Sequence, residues 1–182
     1  DLRKVVILLA HPNMKESQAN KALVDAVSDM EGVAVFNLYE LSQEIAFNVD
    51  EWSKIISDAS AVIYQFPFYW MSAPSLLKKW QDEVFTFLSK TPAVAGKPLT
   101  VVTTTGSEYE AYRSGGRNRF TTDELLRPYQ VTAIHSGMSW QTPIVVYGMG
   151  TADAGKNIAE GANLYKQRVE MLIGSSNAGN NW

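Results

Sequence analysis

Three short stretches carry the side chains that could do chemistry. The first is HPNMKESQAN, residues 11–20. Ser17 and Asn20 offer side-chain donors where a polar loop runs into a helix. Backbone N–H groups and the helix dipole make such an end a natural phosphate site. Ser17 is also a good helix cap, and the two readings stay open. His11 alone is a weak signal, since a satisfied histidine at a strand end is common. The second stretch is QFPFYWMSAP, residues 65–74, with four aromatic residues, two prolines and no charge. Phe68, Tyr69 and Trp70 could wall a planar ring and stack on it. The same surface could instead be a patch for a partner subunit. The third is TTTGSEYEAYRSGGRNRF, residues 103–120. Thr104, Thr105 and Gly106 bring hydroxyls and a pliable backbone, Gly115 and Gly116 let a loop approach a ligand, and Tyr112 offers a hydroxyl. Arg113, Arg117 and Arg119 either concentrate positive charge or simply decorate a solvated loop.

These stretches need elements to hold them. KVVILLA (4–10) is a continuous apolar run rich in β-branched residues, which reads as a strand buried on both faces. A helix is expected from 17 to 32, with Gly32 as its stop, then a strand over VAVFNLY (33–39). A short helix opened by an Asn or Asp cap follows over 48–60, then a third strand over 61–66. Residues 73–89 read as a helix with Leu77, Trp80, Val84 and Leu88 along one stripe. The fourth strand is KPLTVVTTT (97–105), and residues 106–121 show no periodicity. A helix around Pro128 (122–138), a fifth strand over SWQTPIVVYG (139–148) and a last helix over 151–173 complete the order. Strands alternating with helices imply an α/β three-layer sandwich, a five-stranded parallel sheet with helices on both faces. In such folds ligands bind beyond the carboxyl ends of the strands, where the three stretches lie. One domain is expected over residues 1–174, with a mobile tail over 175–182.

The totals restrict the chemistry. The chain has 182 residues, 46% hydrophobic and 19% charged, which suits one packed domain. A net charge of −3 argues against nucleic acid as a partner. With no cysteine, disulfides, thiolate catalysis and Cys-ligated metals are excluded, and a reducing cytoplasm is compatible. No metal site is read. No apolar run approaches the roughly 18 residues of a membrane span. Neither the dinucleotide fingerprint G-x-G-x-x-G nor a Walker A sequence is present.

Taken together, AHPNMKESQAN, FPFYWMSAPSLLKKWQDEVF and YRSGGRNRFTTDELLRPYQVTAIHSGM resemble the flavodoxin-like NAD(P)H:quinone oxidoreductases. The likeness is nearest to short bacterial members, including ancillary proteins of glutathione-gated potassium efflux systems, and covers residues 4–172. It implies flavin phosphate and ribityl contacts at His11, Ser17, Gln18, Ala19 and Asn20. It implies isoalloxazine contacts at Pro67, Phe68, Tyr69, Trp70 and Met71 and at Thr104, Thr105, Gly106 and Ser107. Tyr112 matches the loop tyrosine that would steady charge on a quinone oxygen. In animal members a histidine in this loop is proposed to relay a proton; the matching position here is Asn118, which cannot carry one.

The activity implied is two-electron transfer from NADH or NADPH through a flavin to a quinone. FMN is favoured over FAD because the chain is short. A homodimer is expected, with the cleft at its interface, from the aromatic surface of Phe66–Met71. The rival readings are a flavin-binding regulatory subunit of a potassium efflux transporter, an azo or nitro reductase on the same fold, and a flavodoxin-type electron carrier. The last fits −3 poorly, because carriers are strongly acidic. The location expected is cytoplasmic, with attachment to the inner membrane only through a transporter partner.

Overall fold

The computed structural model describes residues 3–41 and 46–174. The expected tail at 175–182 lies outside the described residues. Strands β1 (Val5–Leu9), β2 (Val33–Asn37), β3 (Ala61–Pro67) and β4 (Pro98–Thr104) alternate with helices α1 (Ala19–Ser28), α2 (Leu38–Leu41), α3 (Val49–Asp58) and α4 (Ser75–Trp80). A π-helical turn (Gln81–Phe85) and α5 (Thr86–Leu88) prolong α4. The second half holds a 3₁₀ turn (Tyr109–Tyr112), α6 (Thr122–Leu125), α7 (Arg127–Ser136), β5 (Ser139–Trp140), β6 (Ile144–Val146) and α8 (Ala154–Gly174).

All strand pairs are parallel, in the order β2-β1-β3-β4-β5, with β6 also beside β4. This is the five-position, doubly wound arrangement expected. Successive side chains of a strand point to opposite faces, so each strand feeds two cores. Val5, Ile7, Ala61, Ile63 and Val102 pack under α1 and α8 with Leu23, Val27, Tyr165 and Val169. Val6, Leu8, Val62, Tyr64, Phe66, Leu99 and Val101 pack under the other layer with Trp52, Leu77, Trp80, Val84, Leu88 and Tyr129. The stripe Leu77, Trp80, Val84 and Leu88 is therefore buried throughout.

Several boundaries differ from expectation, each for a local reason. Strand β2 ends at Asn37 because the Asn37 side chain accepts the N–H of Tyr39 (3.1 Å) and turns the chain into α2. Helix α1 stops at Ser28, short of Gly32. Gly32 instead makes the turn into β2 at φ +90°, where a Cβ would lie 2.5 Å from the Arg3 carbonyl. The helix expected over 122–138 breaks at Leu126 (φ −90°, ψ 4°), and Pro128 sits in the first turn of α7. The fifth strand is split. Ser139–Trp140 pairs the start of β4 and Ile144–Val146 its end, with Pro143 between them. Arg168 on α8 takes the Thr142 carbonyl (2.8 Å) at that break. Asn48 caps α3 as expected, accepting from Glu51 N–H (3.1 Å).

Residues 69–72 form a two-residue hairpin. Tyr69 N–H bonds Ser72 O (2.8 Å) and Ser72 N–H bonds Tyr69 O (3.1 Å). Trp70 (φ 50°) and Met71 (φ 61°) are both left-handed, the geometry that asparagine and glycine ordinarily supply. Phe66 is fully buried against Tyr129 and has no surface to give to an interface, so the aromatic surface expected from Phe66 begins later.

Two stability measurements follow. Gly161 on α8 is buried where a Cβ would collide with Val146 Cγ2 on β6. Gly161→Ala should destabilise by about 1–2 kcal/mol net, overpacking outweighing the helix-propensity gain. Adding Val146→Ala should recover part of the loss in a denaturant titration; equal or deeper loss would contradict the collision. Trp70 is 94% exposed, so its side chain contributes little packing in the chain by itself. Trp70→Asn with Met71→Gly should therefore stabilise dilute protein by about 1–2 kcal/mol, seen as a raised melting temperature, and a lowered one would refute the strain.

Candidate functional site

The carboxyl ends of β1, β3 and β4 meet at a cavity of about 280 Å³ lined by His11, Glu16, Ser17, Gln18, Ala19, Asn20, Pro67, Thr104, Met149, Ala154 and Ile158. Seven of the residues singled out in the sequence are thus brought together, from segments up to 93 positions apart. Larger hollows lie elsewhere among the described residues, one of about 560 Å³ along β6 and α8. The strand ends are where a parallel sheet stops pairing and polar groups can face a ligand.

Each wall has a local cause. After β1 the chain turns through Asn13–Ser17 into α1. Gln18 is the N-cap of α1, and Ser17 Oγ, one residue earlier, accepts the N–H of Asn20 (3.1 Å), so Ser17 ties down a first-turn N–H while also lining the cavity. The first-turn N–H groups of a helix otherwise point out of its end. Here that end is formed by Gln18 and Ala19. Asn20 is 2% exposed, and its side chain is engaged inward rather than free: Nδ2 donates to Thr104 Oγ1 (3.2 Å). His11 Nδ1 accepts from Asn13 N–H (2.9 Å), which leaves Nε2 as the donor of a neutral ring. Partial burial lowers the His11 pKa further from its ordinary value, so the ring is neutral at pH 7. Glu16 is the one acidic lining residue, and it is solvent-exposed.

Pro67 ends β3, and Phe68 N–H bonds the Thr104 carbonyl (2.9 Å), which holds the two strand ends side by side. Phe68 is half-buried and meets Tyr112 edge to face (6.1 Å). Tyr69, Trp70 and Met71 do not line the cavity; they form the exposed hairpin beyond it. Thr105, Gly106 and Ser107 are stitched by main-chain bonds to the loop after β6. Met149 N–H bonds Thr105 O (2.9 Å), Gly150 N–H bonds Gly106 O (2.9 Å) and Gly148 N–H bonds Ser107 O (2.8 Å). Thr105 Oγ1 also donates to Ser107 O (2.8 Å).

The stretch that lacked periodicity is well ordered. Tyr109–Tyr112 forms a 3₁₀ turn, and Arg117 grips Glu108 through both guanidinium nitrogens. That contact holds the Glu108 carboxyl below its usual range. A Cβ at Gly116 would strike the carbonyls of Glu110 and Ala111, so this glycine serves the loop's own closure rather than a ligand. Asn118 N–H bonds Ala111 O (3.0 Å) in the same closure. Arg113 lies over the Tyr109 ring (5.3 Å). Tyr112, 5% exposed, is packed between Phe68 and Tyr147. Met149, Ala154 and Ile158 were missed in the sequence. The glycine pair in VYGMG, directly after the fifth strand, was the available signal, since it marks a loop at another strand end.

The comparisons with known proteins agree with this geometry. A family model described as flavodoxin-like fold matches residues 3–169. The chain is 36% identical over 148 residues to the glutathione-regulated potassium-efflux system ancillary protein KefG of Serratia proteamaculans, covering 79% of this chain and 81% of that protein. The crystal structure of general stress protein 14 from Treponema denticola, in complex with FMN, superposes with a TM-score of 0.84 at 30% identity, covering 93% of this chain and 99% of that one. An NADPH-quinone reductase structure from P. pentosaceus gives a TM-score of 0.77 at 28% identity, over 91% and 96% of the two chains. The chain belongs to the family of flavodoxin-like NAD(P)H:quinone oxidoreductases.

Proposed function

We propose that the cavity holds the phosphate and ribityl part of FMN and that the protein passes two electrons, as hydride, from NADH or NADPH to a quinone. The observation that carries this is the convergence of neutral hydrogen-bond donors, His11 Nε2, the end of α1 and Thr104, on one hollow at the strand ends. About 280 Å³ is slightly under the roughly 300–1,000 Å³ of whole-ligand pockets, in keeping with a cavity that takes only the phosphate and ribityl part. The relative that was crystallised with FMN supports FMN as the flavin.

When bound, a flavin supplies the two-electron chemistry by accepting and releasing hydride. The chain's own residues do the rest. His11, Ser17, Gln18 and Ala19 would hold the phosphate and ribityl end, with Asn20, whose groups are engaged inward, bracing Thr104 behind them. Pro67, Phe68, Thr104, Thr105, Gly106 and Ser107 would border the ring, with the Tyr69–Met71 hairpin over the acceptor side. Phe68 and Trp70 would stack on a flat partner and shield it from water once it is bound. The Tyr112 hydroxyl would donate to an acceptor oxygen as negative charge grows there. Asn118 can hydrogen-bond but not relay a proton, so this loop position supplies no proton carrier.

The test is flavin binding followed by turnover. Purified protein incubated with FMN should retain one flavin per chain and oxidise NADH or NADPH with a small benzoquinone. At equal flavin content, Tyr112→Phe should lower kcat on the order of 3- to 30-fold, and Asn118→Ala less. No retained flavin would overturn the reading. Unchanged half-reactions in Tyr112→Phe would reduce that residue to packing.

A homodimer belongs to the same proposal. Tyr69, Trp70 and Met71 are exposed beside the site, and Phe87, Val131 and Ile134 add apolar surface on the helical layer. Light scattering at micromolar concentration should give twice the chain mass; a fully active monomer would exclude it. Likeness to KefG supports a second reading, regulation of a potassium efflux transporter. Among the described residues no helix is long and apolar enough to cross a membrane. Binding to the transporter in a pull-down separates this reading from free-standing quinone reduction.

A further inference from the structure

Four buried polar side chains form one hydrogen-bonded line from the outer helix layer to the cavity. Tyr165 on α8 donates to Gln65 Oε1 (3.0 Å). Gln65 Nε2 donates to the Asn20 main-chain carbonyl (3.0 Å) and, less closely, to Asn20 Oδ1 (3.3 Å). Asn20 Nδ2 donates to Thr104 Oγ1 (3.2 Å). All four are 5% exposed or less.

The direction of every bond follows from one atom. A main-chain carbonyl can only accept, so Asn20 O requires the NH₂ group of Gln65. That leaves Gln65 Oε1 for Tyr165, which must donate. Burial holds the Tyr165 hydroxyl far above the ordinary phenol range, so it always keeps the proton to do so. The same Gln65 NH₂ faces the Asn20 side chain, which must meet it with Oδ1 and turn Nδ2 to Thr104. Thr104 Oγ1 therefore accepts inside the protein, and its own proton is free for the cavity it lines. Reversing either amide would set like groups face to face where no solvent compensates.

We infer that Tyr165 and Gln65 are positioning residues that fix Thr104 as a hydrogen-bond donor to the bound ligand. The ligand atom against Thr104 is then an acceptor, an oxygen or ring nitrogen with a lone pair, and a donor there is refused. The inference rests on the flavin reading and adds that α8, packed beside α1 on the same face of the sheet, sets the polarity of the site through Tyr165.

The test is a double-mutant cycle on FMN affinity, read by fluorescence titration of flavin-free protein. Tyr165→Phe should weaken FMN about 3- to 10-fold in the unaltered background. In a Thr104→Val background it should change affinity by less than about two-fold, although both substitutions lower the melting temperature. Thr104→Ser, which keeps the hydroxyl, should restore both affinity and sensitivity to Tyr165→Phe. An equal loss in both backgrounds, or none in either, would overturn the relay and leave Tyr165 a packing residue. A protein that binds no FMN would overturn the flavin reading itself. A second measurement, on unaltered protein without flavin, covers that case and a Tyr165→Phe chain that does not fold. Proton NMR should show the Asn20 side-chain NH₂ against the Thr104 methyl and a Tyr165 hydroxyl proton against Gln65. An Asn20 NH₂ turned toward Gln65 instead would refute the relay.

Discussion

A polar side chain buried in a parallel sheet covered on both faces carries a cost unless another polar group meets it. Tyr64 Oη, Trp80 Nε1 and Thr100 Oγ1 bear that cost here, whereas the polar groups that lead to the cavity are paired. β1 is apolar throughout and buried, and β3 admits a single amide, Gln65. An unpaired Gln65 would cost about 1–3 kcal/mol, so its position requires Asn20 on one side and Tyr165 on the other. The pairing in turn fixes how α1 starts and how α8 lies across the sheet. The polar residues at the strand ends, Thr103 with its hydroxyl on Phe66 O and Thr104 with Asn20, extend the same rule to the last turn of the core. Beyond them the sheet stops, and the groups that face a ligand begin.

Much of the fold was legible because its signals are local. Apolar β-branched runs gave four strands nearly in place, and the spacing of Leu77, Trp80, Val84 and Leu88 gave the buried face of a helix. Loops at strand ends were legible from Gly, Pro and hydroxyl residues, which pointed to Ser17 and Thr104, whereas His11 and Pro67 entered the site through the family resemblance. The errors were local too. Asn37 ended β2 through a bond to a residue two positions away, which strand propensity does not register.

The rest depended on contacts that no spacing encodes. Tyr165 and Gln65 are 100 positions apart, and Tyr165 reads as one more apolar residue of a helix. The loop over 106–121 shows no period because its order comes from Arg117 gripping Glu108 and from a glycine that lets the backbone close on itself. Met149 reaches the cavity because its N–H pairs with Thr105 O beside the end of β4, and Ile158 because α8 packs back beside α1. Polar composition there reads as looseness, whereas its hydrogen bonds make it a fixed wall.

The break in the fifth strand bears on how copies of this chain behave in a crowded solution. An edge strand offers a row of free amide groups to any other extended chain, which is the route to intermolecular sheets. Here the edge is divided into two and three residues, too short to template such pairing. Pro143 removes one donor between them, and Arg168 occupies the carbonyl beside it while setting a positive charge along the rim. The sheet is thereby closed to lateral growth at this margin, which leaves β2, five residues long, as its one continuous edge among the described residues.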